Sequence, residues 1–440
     1  MKTTFVVTGL GSAFLAACSS GPAAPVRNAG LPTRHLTPTF SRGLPDSVIP
    51  MGLGVNVHFS SLADANAEIA SLATVGFRFV RIDLLWSLVE QQKGHYDFSS
   101  YQRIMSTLVA HTIRPIFILD YNNSLYDNTS SPPLTEVGLH TDEARQAFGR
   151  FAAAAVTTFK DYGVLWEIWN EPDNPRFWYP QPNPDSYMAL TQITINAMRS
   201  ADASATIVAP ALVGLEPTYQ DAWKFLERCF QLGLLDIVDA LSVHSYRLGP
   251  PETASADYHR LRTLITRYAT QQKVNIPIVC SEWGYSLTWV SQEQQAAYFV
   301  RLFLINLANN LPLSIWYDWR DDGSDAKQIE DNFGIVTWNN QPKIAYFAAQ
   351  TLIQQLTGFR FTEQVSVAST ADYALLFTNG TAKKQVLWTT NTPHTISLPV
   401  NQSSVTVTTM TGEQHSLSTT NGMLSLQLTN NPQYLTLNEA

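Results

Sequence analysis

The feature that most constrains the fold is an alternation of short apolar runs with longer amphipathic segments, which continues from Met51 to Gly358. The apolar runs occupy residues 51–59, 77–84, 114–121, 165–170, 206–213, 240–246, 277–283 and 313–319. The segments between these runs carry apolar residues at helical spacing. Near-continuous apolar strands that alternate with helices predict a parallel sheet covered by helices, because such strands are buried on both faces.

Eight strand–helix units over about 300 residues match the number and size of a (β/α)8 barrel. A doubly wound open sheet is the alternative, but no glycine-rich phosphate-binding loop follows any early strand. We therefore predict an α/β fold with a (β/α)8 TIM barrel, which forms a catalytic domain over residues 46–357.

After Gly358 the sequence becomes rich in Thr, Val and Leu at alternate positions. Asn379-Gly380 and Asn421-Gly422 are pairs that favour two-residue hairpin turns. This pattern predicts a small C-terminal antiparallel β-sandwich over residues 358–440. We favour a packing or spacer role for this sandwich over glycan binding.

The first residues resemble an export signal. An apolar run from Phe5 to Ala17 follows Lys2 and is too short to cross a bilayer as a helix. The run ends in "LAAC", which resembles a bacterial lipoprotein signal whose cysteine, here Cys18, becomes lipidated; an ordinary secretory signal is the alternative. We expect a signal peptide over residues 1–17, a flexible tether over residues 18–45, and an exported lipoprotein of the cell envelope, at the outer membrane or cell surface.

Composition and cysteine positions exclude several partners. The formal net charge is −8 and no cluster of Lys or Arg occurs, so nucleic acid is not an expected partner. Cys229 and Cys280 lie in helix-like and strand-like segments and are predicted to be small core residues. No metal-ligand spacing is present. We predict a monomer without metal or cofactor, which contacts a membrane only through its lipid anchor.

Two glutamates stand at predicted strand ends, where a (β/α)8 barrel carries its chemistry. Glu171 ends the fourth strand and Glu282 lies on the seventh, so the two carboxylates should face each other across the mouth. Facing carboxylates about 5 Å apart perform retaining glycoside hydrolysis, and a separation of about 6.5–9.5 Å gives inversion. A strand-end salt bridge is the alternative for either residue alone.

Four motifs extend this hypothesis: "VRIDLLW", "WNEP", "HSY" and "SEWG", on the second, fourth, sixth and seventh strands. Together they resemble the clan A glycoside hydrolases, and most of all family 39 and related bacterial endoglycosidases that cut biofilm exopolysaccharide. The resemblance spans residues 50–357. It implies that Glu171 is the general acid/base and Glu282 the nucleophile. Aromatic neighbours and the negative charge of Glu282, on the other side of the mouth, should raise the pKa of Glu171.

The resemblance also implies a carbohydrate substrate and several supporting residues. It implies that Asn170 donates to the sugar 2-hydroxyl, that Arg81 and Tyr246 hydrogen-bond Glu282, and that His244 lies beside the nucleophile and the sugar in subsite −1. Many clan members carry a histidine near the end of the third strand, whereas this chain has "LDYNN" with Asp120 and Tyr121. This difference leaves the identity of the sugar open.

Several aromatic residues near strand ends are candidates for sugar-stacking platforms, with core packing as the alternative for each: Trp178, Trp316 and Tyr121, and also Trp86 and Tyr179. The sequence therefore predicts a retaining glycoside hydrolase that cleaves β-glycosidic bonds of a poly- or oligosaccharide, such as an exopolysaccharide, by double displacement. The alternatives are a β-xylosidase-like exo-glycosidase, a non-catalytic glycan-binding lipoprotein, and a transglycosylase that uses the same residues.

Overall fold

The computed structural model describes residues 40–127, 130–132, 135–367, 369–380 and 382–437. The predicted signal peptide and Cys18 lie outside these residues. In the described part of the chain, no helix is both long and apolar enough to span a membrane.

Eight parallel strands close into a barrel in sequence order, and β1 pairs with both β2 and β8. The strands are β1 (Leu53–Asn56), β2 (Phe79–Leu85), β3 (Arg114–Asp120), β4 (Leu165–Ile168), β5 (Thr206–Leu212), β6 (Ala240–His244), β7 (Ile278–Trp283) and β8 (Ser314–Trp316). The closed sheet confirms the predicted (β/α)8 barrel and rules out the open doubly wound sheet.

Helices connect the strands on the outside of the barrel. They are α1 (Leu62–Val75), α2 (Trp86–Val89), α3 (Ser99–Ala110), α4 (Asp142–Phe159), α5 (Pro184–Ala201), α6 (Gln220–Gln231), α7 (Leu234–Ile237), α8 (Ala254–Tyr268), α9 (Gln292–Ala308) and α10 (Ile344–Leu356). Three short 3-10 helices cover Lys160–Tyr162, Pro251–Thr253 and Glu330–Asn332. Local signals set the helix ends: Ser61 caps α1 by accepting from the Asp64 amide, and α1 stops at Gly76, whose φ is 108°.

A cluster of buried apolar side chains from β2 to β8 fills the barrel interior: Phe79, Ile116, Leu165, Val208, Ala240, Val279, Leu313 and Ile315. Side chains from so many strands can meet only inside the closed sheet. The interior is therefore packed, and space for a substrate exists only at the mouth.

Several strands are shorter than predicted because their polar C-terminal ends leave the sheet. The fourth run was predicted to extend to residue 170, but β4 ends at Ile168. Trp169 and Glu171 have φ angles of 67° and 44°, in the left-handed region. This conformation ends the extended strand and turns Glu171 away from the line of the strand.

The C-terminal residues form a six-stranded antiparallel sheet and a two-stranded sheet. The strands are β9 (Arg360–Gln364), β10 (Asp372–Thr378), β11 (Lys383–Thr389), β12 (His394–Pro399), β13 (Ser404–Thr408), β14 (Gln414–Ser418), β15 (Met423–Leu428) and β16 (Gln433–Leu437). The two sheets share one apolar core, which includes Leu387 and Val407 from the larger sheet and Leu398 and Leu426 from the smaller. This arrangement confirms the predicted β-sandwich.

Helix α9 lies between the barrel and the sandwich. Every residue from Gln295 to Leu307 is buried, although one side of a surface helix is normally exposed. Its Phe299 packs against Trp316 on the barrel, with ring centroids 5.0 Å apart. Its Arg301 donates to the Asn430 carbonyl in the sandwich over 3.4 Å. The two parts of the molecule therefore share a buried interface.

Candidate active site

Glu282, on β7, is held at the mouth by donors from three other strands or strand ends. Arg81 Nη1 donates to Oε2 over 2.7 Å, and Asn56 Nδ2 donates to the same oxygen over 3.2 Å. Tyr246 Oη donates to Oε1 over 2.7 Å. These donors stabilise a negative charge on Glu282. The structure thus places Arg81 and Tyr246 next to Glu282, and it adds Asn56, whose contact the sequence analysis missed.

Arg81 divides its donors among three acceptors. Besides Glu282, it donates from Nε to Glu167 Oε2 over 2.6 Å and from Nη2 to Asn170 Oδ1 over 2.8 Å. The sequence analysis missed Glu167, which is fully buried in β4. An acidic residue inside the apolar run "LWEIW" was the available signal, because a buried carboxylate requires a cationic partner.

Glu171 lies opposite, and only 2% of the residue is exposed. Asn174 Nδ2 donates to its Oε2 over 2.7 Å, a contact that the sequence analysis also missed. Burial raises the pKa of Glu171 to about 7, although the Asn174 hydrogen bond and the charges of Arg81 and Arg176 act to lower it. A carboxyl group with such a pKa can hold a proton near neutral pH and then donate it.

His244 lies near both carboxylates, as expected for the nucleophile, and it contacts Glu171 more closely than Glu282. Its Nδ1 lies 2.8 Å from Glu171 Oε1 and 3.9 Å from Glu282 Oε1. Burial lowers the pKa of His244 to about 4. The imidazole is therefore neutral at pH 7, and its contact with Glu171 is a hydrogen bond rather than an ion pair.

The two carboxylates are close together. One oxygen of Glu171, one oxygen of Glu282 and a ring nitrogen of His244 all lie within 4.8 Å of one another. One oxygen from each carboxyl group therefore lies closer to the other than the separation of about 6.5–9.5 Å that inverting enzymes require, and this bound is compatible with the separation of about 5–5.5 Å that retaining enzymes use.

Four of the five candidate aromatic platforms are buried, which favours the alternative of core packing for these four. Trp178 and Trp316 are fully buried, and so is Trp86. Trp178 packs against Trp169 with ring centroids 5.1 Å apart, and the Trp316 ring faces α9. Tyr121 is only 9% exposed and stacks on Phe177. Alternate residues of a strand face opposite sides, so bulky aromatic residues near the mouth pack behind the sheet as readily as in front of it.

A second group of ionisable residues lies at the ends of β1 and β8. His58 Nδ1 is 3.1 Å from Asp322 Oδ1 and 3.7 Å from Asp318 Oδ2. Burial acts to lower the pKa of His58, but the two carboxylates outweigh it and raise the pKa to about 10.

Two groups in the described part of the chain bring three potential metal ligands within 4.8 Å of one another: Glu171, His244 and Glu282, and His58, Asp318 and Asp322. In the first group, protein donors already occupy both carboxylates. In the second, the same two carboxylates that raise the pKa of His58 to about 10 hold the protonated imidazole between them.

Cys229 and Cys280 are buried and unpaired, which confirms that they are core residues. Burial raises the pKa of Cys280 to about 12, and burial likewise raises the pKa of Cys229. Both thiols are therefore protonated and unreactive at neutral pH.

Comparison with known proteins identifies similar chains. Residues 50–323 match the family model described as Cellulase (glycosyl hydrolase family 5). The matched residues make up more than half of the chain. A beta-xylosidase from Geobacillus stearothermophilus is 25% identical over 205 residues. That match covers 42% of this chain and only 39% of the beta-xylosidase.

Two solved structures share the fold. A family 39 glycoside hydrolase from Bacteroides cellulosilyticus WH2 superposes with a TM-score of 0.75 at 23% identity, over 88% of this chain and 81% of that one. A monomeric beta-xylosidase from Caulobacter crescentus CB15 superposes with a TM-score of 0.64 at 15% identity, over 91% of this chain and 98% of that one. At these identities, the similarity shows a shared fold and nothing further.

Proposed function

The chain belongs to the cellulase family (glycosyl hydrolase family 5) of the clan A glycoside hydrolases, and from this premise we propose that it cleaves β-glycosidic bonds with retention of configuration. The observation that carries the proposal is the facing pair of carboxylates, with an oxygen of Glu171 and an oxygen of Glu282 within 4.8 Å. A binding protein has no need for such a pair, which argues against a non-catalytic glycan-binding lipoprotein.

In the first step, Glu282 attacks the anomeric carbon and forms a glycosyl ester. The bond from that carbon to the leaving-group oxygen breaks, and this oxygen takes the proton of Glu171. The division of roles follows from the surroundings of the two residues. Glu171 keeps a proton because burial raises its pKa to about 7, whereas Arg81 and Tyr246 hold Glu282 as a ready anion.

In the second step, a water molecule enters where the leaving group was. Glu171, now ionised, removes a proton from the water as the oxygen attacks the anomeric carbon. The ester bond breaks, and Glu282 regains its charge. Two inversions at one carbon give net retention. If a second sugar replaces water in this step, the same residues perform transglycosylation.

We propose a β-linked poly- or oligosaccharide as substrate, with an exopolysaccharide as the first candidate. We also propose that the active species is a monomer. A β-xylosidase-like exo-activity is the second candidate, and the partial match to a beta-xylosidase supports it. Product lengths distinguish these two: endo-cleavage releases a series of oligosaccharides, whereas exo-cleavage releases a single sugar.

The test uses aryl β-glycosides and polysaccharides with wild type, Glu171→Gln, Glu282→Gln and the exposed control Glu143→Gln. We expect turnover in wild type and the control, and losses of about 10²–10⁴-fold for Glu171→Gln. For Glu282→Gln we expect a larger loss, on the order of that caused by removing a nucleophile in other hydrolases. Proton NMR of the first product should show the β-anomer. Release of the α-anomer would refute retention, and binding without turnover would favour a glycan-binding role.

We also propose that the protein is exported and anchored through a lipid on Cys18, on the basis of "LAAC" after the apolar run. Wild type should fractionate with membranes, and globomycin treatment should cause the longer, unprocessed precursor to accumulate. Cys18→Ser should lose membrane association. An unchanged distribution of Cys18→Ser between membrane and soluble fractions would refute the anchor.

A further inference from the structure

Glu167 is a buried carboxylate whose contacts point toward the active site. It lies in β4 with no exposed surface, and its Oε2 accepts from Arg81 Nε over 2.6 Å. Its other oxygen, Oε1, has no hydrogen-bond partner among the described residues. A half-satisfied buried carboxylate costs stability, so packing alone does not explain its presence.

The charges around Arg81 do not balance in the resting site. One guanidinium contacts two carboxylates, Glu167 and Glu282, and the neutral amide of Asn170. Only 2% of Arg81 is exposed, so water does not compensate its charge. With Glu167 and Glu282 ionised, these three groups in contact carry a net charge of −1, and Asp83 is a further carboxylate whose charge acts on Arg81.

The excess negative charge around Arg81 is removed during the proposed reaction. Formation of the glycosyl ester removes the negative charge of Glu282 and leaves Arg81 with a single anionic partner. If Glu167 were neutral, Arg81 would then be an unpaired buried cation, which is strongly unfavourable. With Glu167 ionised, the network becomes electrically neutral when the covalent intermediate forms.

We propose that Glu167 is a positioning residue for glycoside hydrolysis: it is the permanent counter-ion of Arg81, and it keeps Arg81 oriented and neutralised while Glu282 alternates between carboxylate and ester. This inference rests on the proposed retaining function. It also explains why Arg81 does not pair tightly with the nucleophile alone, because such a pair would lower the reactivity of Glu282.

Several charged and titratable groups face Glu282 from neighbouring strands and strand ends. Arg81 and Tyr246 contact it directly, His244 lies 3.9 Å away, and Glu171 lies opposite. Asn56 is a neutral donor. Of these, Arg81 contacts both Glu167 and Glu282, so the contact route from Glu167 to the nucleophile runs through Arg81; the charge of Glu167 also acts to raise the pKa of His244.

The test is Glu167→Gln, which removes the charge and keeps the shape. Arg81 then has Glu282 as its sole anionic partner. We expect kcat/KM to fall about 10- to 100-fold, as loss of a supporting partner typically does, with KM changed less than about twofold. The acidic limb of the pH profile should move to lower pH. Covalent trapping by a 2-deoxy-2-fluoro glycoside, followed by intact mass, should slow by a similar factor.

A matched control separates this role from a structural one. Glu252→Gln removes the carboxylate partner of Arg301, another buried arginine, which lies on α9. It should lower the Tm but leave the acidic limb and the trapping rate unchanged. Glu167→Asp keeps the charge, so its acidic limb should remain at the wild-type pH even where activity falls.

The outcomes separate the two hypotheses. A wild-type protein without turnover or covalent trapping would refute the proposed function itself. An active wild type with an undisplaced acidic limb in Glu167→Gln would overturn the role of Glu167 and leave the proposed function intact. A displaced acidic limb in Glu167→Asp would also overturn the proposed role of Glu167. This second variant tests the role even if Glu167→Gln does not fold.

Discussion

Two buried arginines, Arg81 at the barrel mouth and Arg301 beneath the sandwich, show how the same ion pair serves different purposes. Arg301 makes a bidentate pair with the single carboxylate of Glu252, with both distances 2.7 Å. Trp388 Nε1 donates to the same carboxylate over 2.7 Å. Arg81 instead divides its donors among two carboxylates and an amide.

The difference lies in the balance of charge. At Arg301, one cation meets one anion, and Trp388 and Asn430 of the sandwich both hydrogen-bond this pair. At Arg81, one cation meets two anions, and one of these is at the open mouth. A balanced bidentate pair suits a permanent interface. An unbalanced network suits a site in which one charge is removed and restored in each cycle.

The largest expected contrast comes from replacing each arginine with lysine, which keeps the charge but loses the planar set of donors. Arg81→Lys should lower kcat/KM by about 10²–10³-fold, because a preorganised donor to the reacting carboxylate is displaced. Arg301→Lys should leave kcat/KM within about twofold and lower the Tm, because the bidentate pair at the interface is weakened. Steady-state kinetics and thermal unfolding of both variants test this contrast. Equal effects on activity would contradict the distinction.

The next contrast concerns two buried tyrosines. Tyr246→Phe removes a donor to Glu282 and should reduce kcat by about 10- to 100-fold. Tyr258→Phe removes contacts to Asn306 and Ser245, away from the two glutamates, and should affect stability only. Measurement of kcat and Tm for both variants separates the roles. A fall in kcat for Tyr258→Phe as large as that for Tyr246→Phe would show that the effect is indirect.

A smaller effect concerns the pH dependence at the mouth. Glu171 must be protonated to donate in the first step, so kcat/KM should fall as pH rises through about 7. The Asn174 hydrogen bond acts to lower the pKa of Glu171. Asn174→Ala should therefore move the alkaline limb upward, by about half a pH unit. Movement of the limb to lower pH would contradict the assigned role of Asn174.

The sequence predicted the barrel well because eight apolar runs and the helices between them repeat one unit, and the short, continuous apolar runs differ from the longer amphipathic segments. The clan A resemblance is confirmed by the family match, and it rests on short motifs at strand ends. The proximity of Glu171 and Glu282 was predicted because a carboxylate at the end of an apolar strand is conspicuous, and the closed barrel brings the two strand ends together.

The remaining parts of the site depend on contacts between segments distant in sequence. The pairing of Glu167 with Arg81 joins β4 to β2, and neither residue alone identifies the other. The burial of Trp86, Trp178 and Trp316 was not predicted for a related reason: composition does not show whether an aromatic side chain near a strand end enters the core. Side-chain direction beyond a strand end depends on local backbone angles, such as the positive φ of Trp169.

The smallest predicted effect tests the interface side of the comparison. Trp388 is fully buried in β11, and its indole donates to Glu252. Trp388→Phe keeps most of the apolar contact but leaves one oxygen of Glu252 with one donor fewer. We expect a loss of about 1–3 kcal/mol in the free energy of unfolding, since a hydrogen bond to a buried charged group is removed. Denaturant unfolding gives this value, and the acidic and alkaline limbs of the pH profile should remain at their wild-type positions. Because Arg301 still balances Glu252, no charge is left unpaired; a shift of either limb would mean that the interface and the mouth are electrostatically coupled through α9.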